Sequence, residues 1–481
     1  MEKVLVVGDG AREHAIAWAL ARSGVRIFAA VGHPNPGIVE LAKATGGGVK
    51  IASITSTKEV VEAAESFSPD LVVVGPEEPL FAGVADALRE RGFLTFGASS
   101  KAAVVEMRKD VARALQWKYG IKGRLVYGVF KEASEAYAFA KALGAVAIKP
   151  IRQAGGKGVR VVYGEAKYLD GAFDDVILRG AQEAKEQLKS FGDVDAAVLV
   201  EEGVWGVEYT VQTLTDGDVL FPFPPVQDNP HAFELGLGPE CGGMGTLSPL
   251  PFIEEGEVED AVESLRATVD AVAKEFGVRY AGALSGQMML TARGPVLIEY
   301  YARLGDPEAV NAMYLYEGDA YQLFKAAAEG KLHKAERRFK PAYTVVKAVA
   351  PVGYPHRRDL AKGRRFWIDW HLVRREGCLV FFGSTVESPQ GGYETLGSRA
   401  VEVLAAGATI EEAYQRSERC AGAVKGEGLF YRSDIASPPY VETMTRKAEA
   451  VRAVYKWRRA RGLDRVKILW EPGRGVERFV L

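Results

Sequence analysis

In the segment Glu299-Tyr-Tyr-Ala-Arg-Leu-Gly-Asp-Pro-Glu308 an acid and a base leave the end of one apolar strand. Val296 to Tyr300 is a short apolar run and reads as a buried strand. Side chains alternate faces along a strand, so Glu299, Tyr301 and Arg303 point the same way. That grouping fits a metal–phosphate site, with Glu299 on the cation and Arg303 on an anion. A plain Glu–Arg pair capping the strand is the competing reading. The preceding strand, Leu284 to Leu290, runs into the turn Thr291-Ala-Arg-Gly-Pro295, so the two form a hairpin that sets Gln287 beside Glu299.

Three more stretches carry chemistry. The strand Ala145 to Lys149 is followed by Gln153-Ala-Gly-Gly-Lys-Gly-Val159 and then by another strand from Arg160. No helix follows the lysine, which excludes a P-loop. The backbone amides of Gly155, Gly156 and Gly158, with Lys157, can still fold over phosphates; a glycine-rich surface hairpin is the alternative. The apolar strand Ala197 to Val204 contains Glu201 and Glu202 near its end, with Glu208 shortly after. Acids are unfavourable to bury without partners, so they mark a polar ligand or simple exposure past the strand end. Gln227 to Pro251 is a long irregular stretch holding Asp228, Phe233, Cys241 and Met244, the profile of an ordered binding loop.

The elements that position these groups follow from the apolar pattern. Val4–Val7, Arg26–Val31, Leu71–Val74 and Leu94–Phe96 read as strands; Ala11–Arg22, Lys58–Phe67 and Leu80–Arg91 read as helices. This alternation predicts a doubly wound parallel sheet, whose ligands sit at the carboxyl ends of strands. Those ends carry Gly8-Asp-Gly-Ala-Arg-Glu-His14, Gly75-Pro-Glu-Glu-Pro-Leu80 and Gly97-Ala-Ser-Ser100. The first loop lacks the third glycine of a dinucleotide fingerprint, having Glu13 there, and no acid ends the second strand. An anion site at the helix start, helped by Arg12, fits better. Gly75-Pro76-Glu77 binds a ribose or an amine, or is a tight turn. Beyond 104 come the helices Lys101–Gln116 and Ala133–Leu143; beyond 326 strands at Tyr343–Ala350 and Leu379–Phe382 and a helix at Ile410–Ala423 form an α+β lobe. The tail from Val441 carries eleven Lys/Arg against five Asp/Glu. Ala448 to Arg461 reads as an amphipathic packing helix with Val451, Val454, Tyr455 and Trp457 inward.

At 481 residues the chain is long enough for three or four domains. A net charge of −2 argues against a broad nucleic-acid or membrane surface, and no apolar run reaches the roughly 18 residues of a membrane span. The three cysteines show no metal spacing and no disulfide framework, so a reduced cytoplasm is expected. Only three Asn occur while Arg is abundant, a thermophile-like composition.

Gly8-x-Gly-x-Arg-Glu-His-Ala15, Gly75-Pro-Glu-x-Pro-Leu80, Gly242-Gly-Met-Gly245, Ala302-Arg-x-Gly-Asp-Pro-Glu308 and Glu427-Gly-Leu-Phe-Tyr-Arg-x-Asp-Ile435 occur in that order. Together they resemble the glycinamide ribonucleotide synthetases of the ATP-grasp superfamily, over residues 1 to 436. The resemblance implies a pre-ATP-grasp domain at 1–103, an ATP-grasp domain at 104–325 with a mobile lid near 118–195, and a C-terminal α+β domain at 326–436. A basic extension at 437–481 remains. It implies a ligase that joins glycine to 5-phosphoribosylamine with ATP and Mg²⁺ or Mn²⁺, through a glycyl phosphate, in purine synthesis. Small-molecule substrates, no nucleic acid, no membrane, and a monomer or small homo-oligomer go with it.

On that resemblance Lys109, Lys149 and the loop 155–158 hold phosphates. Glu201, Glu202 and Val204 take the adenine edge and Glu208 the ribose, while Gln287 and Glu299 hold the metal. Arg303 stabilises the transferred charge, and Asp228 with Gly243, Met244 and Gly245 places glycine. Gly8, Gly10, Arg12, Glu13, Gly75, Glu77 and Pro79 take the phosphosugar, and Asp306 is a further substrate-binding residue. The chain departs from the family pattern at Tyr301, where Asn is usual, at Pro230-His231, where a Lys-Arg pair is usual, and at Cys241, where Thr is usual. A ligase for another amino acid or amine, and a non-catalytic nucleotide- or phosphosugar-binding homologue, are the alternatives those departures raise.

Overall fold

Lys3–Val7 and Leu71–Val74 are runs of valine and leucine with almost every side chain buried, as parallel strands covered on both faces require. In a computed structural model, described for residues 1–153, 159–162, 172–190, 197–471 and 475–480, they are the central neighbours of a five-stranded parallel sheet. Its order is Gly48–Ile51, Arg26–Val31, Lys3–Val7, Leu71–Val74, Thr95–Phe96. Strand order reverses between the two central strands, so the loops starting at Gly8 and Gly75 open at the switch point of the sheet. Two expected helices are broken. Leu80–Arg91 becomes Glu77–Phe81 and Val84–Glu90, separated at Gly83. Lys101–Gln116 becomes Ser100–Met107 and Lys109–Lys118, with Arg108 extended between them. The second break ties the Lys109 amide to the Ile151 carbonyl at 2.7 Å, anchoring this lysine beside the small lobe.

The small lobe is an antiparallel sheet ordered Tyr127–Phe130, Val198–Glu202, Val146–Pro150, Arg160–Val162. The helices Ala133–Leu143 and Ala172–Ser190 share its core. The lobe runs past 195, because Val198–Glu202 bonds to strands on both sides. Val146–Pro150 and Arg160–Val162 pair antiparallel, so the glycine-rich segment does join two strands. Gly155, Gly156, Lys157 and Gly158 themselves lie outside the described residues.

The larger sheet is ordered Leu220–Pro222, Gly206–Thr215, Gly282–Thr291, Gly294–Tyr301, all antiparallel, with the helix Glu255–Phe276 against it. Gln287 stands opposite Glu299, and the register slips immediately after it. Such a bulge re-aims the side chains beside it. Gln227–Asp228 and Gly245–Ser248, from the middle of the chain, join a sheet with Tyr343–Pro351, Val401–Gly407 and Leu379–Phe382. The expected boundary at 325 is therefore crossed by hydrogen bonds.

Two expectations are corrected. Cys378 and Cys420, read as unpaired, form a disulfide. Cys378 precedes the strand Leu379–Phe382 and Cys420 lies on the helix Ile410–Ala421, and both belong to one apolar cluster. Cys241 is free and buried. The tail helix spans Pro438–Arg459, starting well before Ala448. Ala448, Val451 and Arg452 face inward, whereas Val454 and Trp457 are 47% and 52% exposed. Arg452 donates to both oxygens of Glu257 at 2.7 and 2.9 Å, a buried pair that locks this helix onto the helix Glu255–Phe276. No helix among the described residues is long and apolar enough to cross a membrane.

Candidate active site

The two switch-point loops, the Gln287–Glu299 hairpin and the Asp228 strand converge on one cavity of about 330 Å³. At the end formed by the two switch-point loops, close backbone approach is built in by Gly75: a Cβ there would lie 2.3 Å from Glu13 Oε1. Glu13 is a brace behind the loop, accepting from the Gly10 amide at 2.8 Å and from Arg12. Arg12 reaches the cavity and lies 3.6 Å from Glu77. Arg303 approaches Glu77 at 3.2 Å and Glu106 at 3.3 Å. Burial opposes ionisation of Glu77, but Arg303 and Arg12 more than offset it and hold the carboxyl below its usual range. Glu106 lacks that balance, and burial pushes it up to about 7.

At the centre, a Cβ on Gly243 would lie 2.0 Å from Asp228 Oδ1, so only glycine lets this loop close over Asp228. That oxygen has no hydrogen-bond partner among the described residues. Burial, reinforced by Glu308, pushes the Asp228 carboxyl well above the ordinary range. Arg399, which sequence reasoning missed, donates to the carbonyls of Gly243 and Asp306 at 2.8 Å and to Asp306 Oδ2 at 2.7 Å. It arrives from the C-terminal lobe and fixes both loops.

At the opposite end Lys149 Nζ lies 2.6 Å from Glu201 and 3.6 Å from Glu299. Lys109 Nζ lies 3.8 Å from Glu299. Burial opposes the charge on Glu299, yet Lys109 and Lys149 hold its pKa below the usual value. The Glu201 carboxylate is fully engaged by Lys149 and by Arg113 Nε at 2.8 Å, so it positions Lys149 and is not free for a base edge. Burial works against its ionisation as well, but the two cations lower it to about 2. Glu202 likewise accepts from the Val126 amide at 3.0 Å and from Arg293 at 2.8 Å. The strand exit at Gly203 and Val204 lines the cavity with Glu201 and Glu202, beside Met289 and Ile298. Gln287 donates to Glu208 at 3.3 Å and accepts from the Tyr301 hydroxyl at 2.6 Å. The Arg303 guanidinium stacks on the Tyr301 ring at 4.5 Å.

Most of the expected site residues thus share one cavity, with Lys109 in an adjoining recess alongside Lys149 and Glu299. Gly8, Gly10, Glu13, Gly75, Pro79, Met244 and Gly245 do not line it; Met244 is wholly buried in the apolar core. Arg113, Glu106 and Arg399 join the site without any local sequence signal. Among the described residues no three His, Cys, Asp or Glu side chains converge as a metal cage. The donor set present, one carboxylate and one amide oxygen beside two lysines, fits a cation shared with phosphates, since Mg²⁺ is commonly held by one or two carboxylates plus substrate oxygens.

A small antiparallel lobe closing on a larger antiparallel sheet, with a lysine- and carboxylate-lined cleft between them, defines an ATP-grasp protein, a class that binds ATP. The comparisons narrow the class. Residues 2–106, 107–309 and 344–438 match the N domain, the ATP-grasp (A) domain and the C domain of phosphoribosylglycinamide synthetase. A phosphoribosylamine–glycine ligase of Methanopyrus kandleri is 40% identical over 465 residues, covering 94% of this chain and all of that one. The Pyrococcus horikoshii enzyme of the same name is 39% identical over 445 residues, covering 92% and 96%. The crystal structure of the Thermotoga maritima ligase superposes with a TM-score of 0.72 at 26% identity, covering 90% of this chain and 100% of that chain. Biotin carboxylase of Campylobacter jejuni shares the fold alone, with a TM-score of 0.69 at 14% identity, over 93% and 98% of the two chains. The chain belongs to the phosphoribosylglycinamide synthetase family.

Proposed function

We propose that this chain is a phosphoribosylamine–glycine ligase. It joins glycine to 5-phosphoribosylamine with ATP and releases glycinamide ribonucleotide, ADP and phosphate, as a cytoplasmic step of purine synthesis. The observation that carries the reading is that a phosphate-type end (Lys149, Glu299, Gln287) and an amino-acid and phosphosugar end (Asp228, Arg12, Arg399) share one cavity.

Lys109 and Lys149 hold the nucleotide phosphates as point charges, with Glu201 fixing the second of them. Glu299 and Gln287 Oε1 would hold Mg²⁺ or Mn²⁺, which when bound offsets charge on the transferred phosphoryl group. Gly203 and Val204 present backbone to the adenine edge, and Glu208 accepts from the ribose. Asp228, whose buried Oδ1 has no hydrogen-bond partner among the described residues, takes the glycine ammonium, whose charge draws the carboxyl into its ionised form. The glycine carboxylate attacks the γ-phosphorus and ADP leaves. The sugar amine then attacks the acyl carbon, phosphate leaves, and the amine loses a proton. Arg303 lies where it can stabilise the charge passing between these groups. Arg12 and the Gly8–Gly10 and Gly75–Glu77 loops take the phosphosugar. No covalent nucleophile is needed, because orientation and charge neutralisation supply the rate.

The test is ATP turnover with Mg²⁺, glycine and phosphoribosylamine generated in place from ammonia and ribose 5-phosphate, with ADP and phosphate followed together. ADP release that requires both substrates is the expected result. Release with another amino acid in place of glycine would assign a different ligase, and nucleotide binding without release would assign a binding protein.

A further inference from the structure

A second cavity of about 370 Å³ adjoins the first and shares Val204, Glu208, Asp228, Pro230, His231 and Met289 with it. Its outer wall is the helix Pro438–Arg459, nearly all of which lies beyond residue 438, where the match to the family's C domain ends. Tyr440, Met444 and Lys447 face inward from this helix, and Trp205 faces them from the turn before Gly206–Thr215. The wall is fixed in place. The Tyr440 hydroxyl lies 2.7 Å from Gln227 Oε1 and 2.8 Å from Asn229 Oδ1, and Arg452 is pinned to Glu257 further along. Lys447 Nζ stands 4.7 Å from the centre of the Trp205 ring. It is half-buried, yet it has no hydrogen-bond or ion-pair partner among the described residues. Trp205 is 56% exposed. A half-buried ammonium over a largely exposed aromatic ring, in a cavity that also holds the Glu208 carboxylate, is an incomplete arrangement. Burial lowers the Lys447 pKa, and the Glu208 charge only partly restores it.

The missing component has a definite chemistry. An ammonium only donates and an ionised carboxylate only accepts, whereas a ribose hydroxyl does both. A hydroxyl set between Lys447 and Glu208 satisfies each. Building on the nucleotide placement proposed above, we propose that the C-terminal helix completes the ribose side of the ATP site. In this arrangement Lys447 donates to a ribose hydroxyl that itself donates to Glu208, and Trp205 steadies the ammonium.

Binding of ATP, 2′-deoxy-ATP and 3′-deoxy-ATP, measured by calorimetry without glycine or sugar, tests this on the full chain. The wild type should prefer ATP over the weaker deoxy analogue by about tenfold, the size of a hydrogen bond to a charged group. Lys447→Met should weaken ATP binding by about tenfold and reduce the ribose preference to under about threefold, while Lys447→Arg, which keeps the donor, should retain most of both. Trp205→Leu lies outside the helix and gives an independent check, with an expected loss of about threefold from the cation–π contact. If Lys447→Met and Trp205→Leu bind ATP as the wild type does, with the same ribose preference, the inference is overturned and the ligase assignment stands. A wild type that binds no ATP overturns both.

Discussion

Glu299→Gln separates a site carboxylate from a structural one. The substitution keeps shape and removes one charge that stands 3.6 Å from Lys149 Nζ and 3.8 Å from Lys109 Nζ. At an effective dielectric of about 20, each contact is worth about 4 kcal/mol of attraction, and desolvation of the three groups cancels most of it. Lys149 keeps Glu201 at 2.6 Å, so its charge remains paired and its position holds. The expected stability loss is therefore small, about 1–2 kcal/mol, within the range of ordinary substitutions. The loss in function is larger. The variant lacks the only carboxylate of the proposed cation site, and turnover should fall by about 10²–10³-fold, the scale of losing one preorganised electrostatic contact. ADP release at saturating glycine and phosphoribosylamine, across a Mg²⁺ titration, gives the rate, and urea unfolding gives the stability. Turnover within about threefold of wild type, with an unchanged Mg²⁺ midpoint, would remove Glu299 from the reacting centre. A collapse of stability would instead refute the claim that Glu201 alone holds Lys149.

Glu201→Gln should do the reverse, costing about 3–5 kcal/mol in urea unfolding because it leaves Arg113 and Lys149 buried and uncompensated. Because Glu201 is lowered to about 2 from 4.5, its contribution is complete above pH about 4.5 and lost as pH falls toward 2; the variant should lack that part of the acid limb of the stability–pH curve. Tyr301→Asn should preserve or raise turnover, since an amide oxygen is a better hard ligand than a neutral phenol. A large loss would show that the contacts of Tyr301 with Gln287 and Arg303 have their own role. The Cys378–Cys420 link spans 42 residues, and the chain-entropy relation gives about 4 kcal/mol for such a loop. Cys378→Ser with Cys420→Ser should lower the Tm by several degrees, and dithiothreitol should reproduce that drop in the wild type and not in the variant.

Elements whose cause is local were legible in the sequence. The continuous valine runs announced the parallel strands, and the switch-point loops followed from their order. The short turn Thr291–Pro295 fixed the hairpin and hence the Gln287–Glu299 register. What stayed hidden depends on contacts between distant segments. Arg399 bonds to Asp306 and Gly243 only because the C-terminal strands share a sheet with Gly245–Ser248. Arg113 sits on a helix whose amphipathic pattern gives no hint that its guanidinium is capped by Glu201 and by the Leu297 and Ile298 carbonyls. The disulfide was invisible for the same reason. A pairing of this kind does not identify the compartment either, because intracellular proteins of hyperthermophiles also carry disulfides.

The departures at 230–241 raised the question of a changed substrate, and their placement bears on it. His231–Phe233 and Leu237–Glu240 form a small hairpin at the cavity rim, with Phe233, Leu235 and Leu237 51%, 82% and 63% exposed. From this stretch only Pro230, His231, Glu240 and Cys241 line the main cavity. Burial pushes the Cys241 thiol up to about 11, so at neutral pH it presents a small uncharged group, as a threonine would. The grouping that meets the amino acid in the proposed mechanism is Asp228 beneath Gly243, with Arg399 fixing the loop from behind. None of the altered positions falls within that grouping. Because the altered positions leave Asp228, Gly243 and Arg399 in place, they give no physical reason to replace glycine as the substrate.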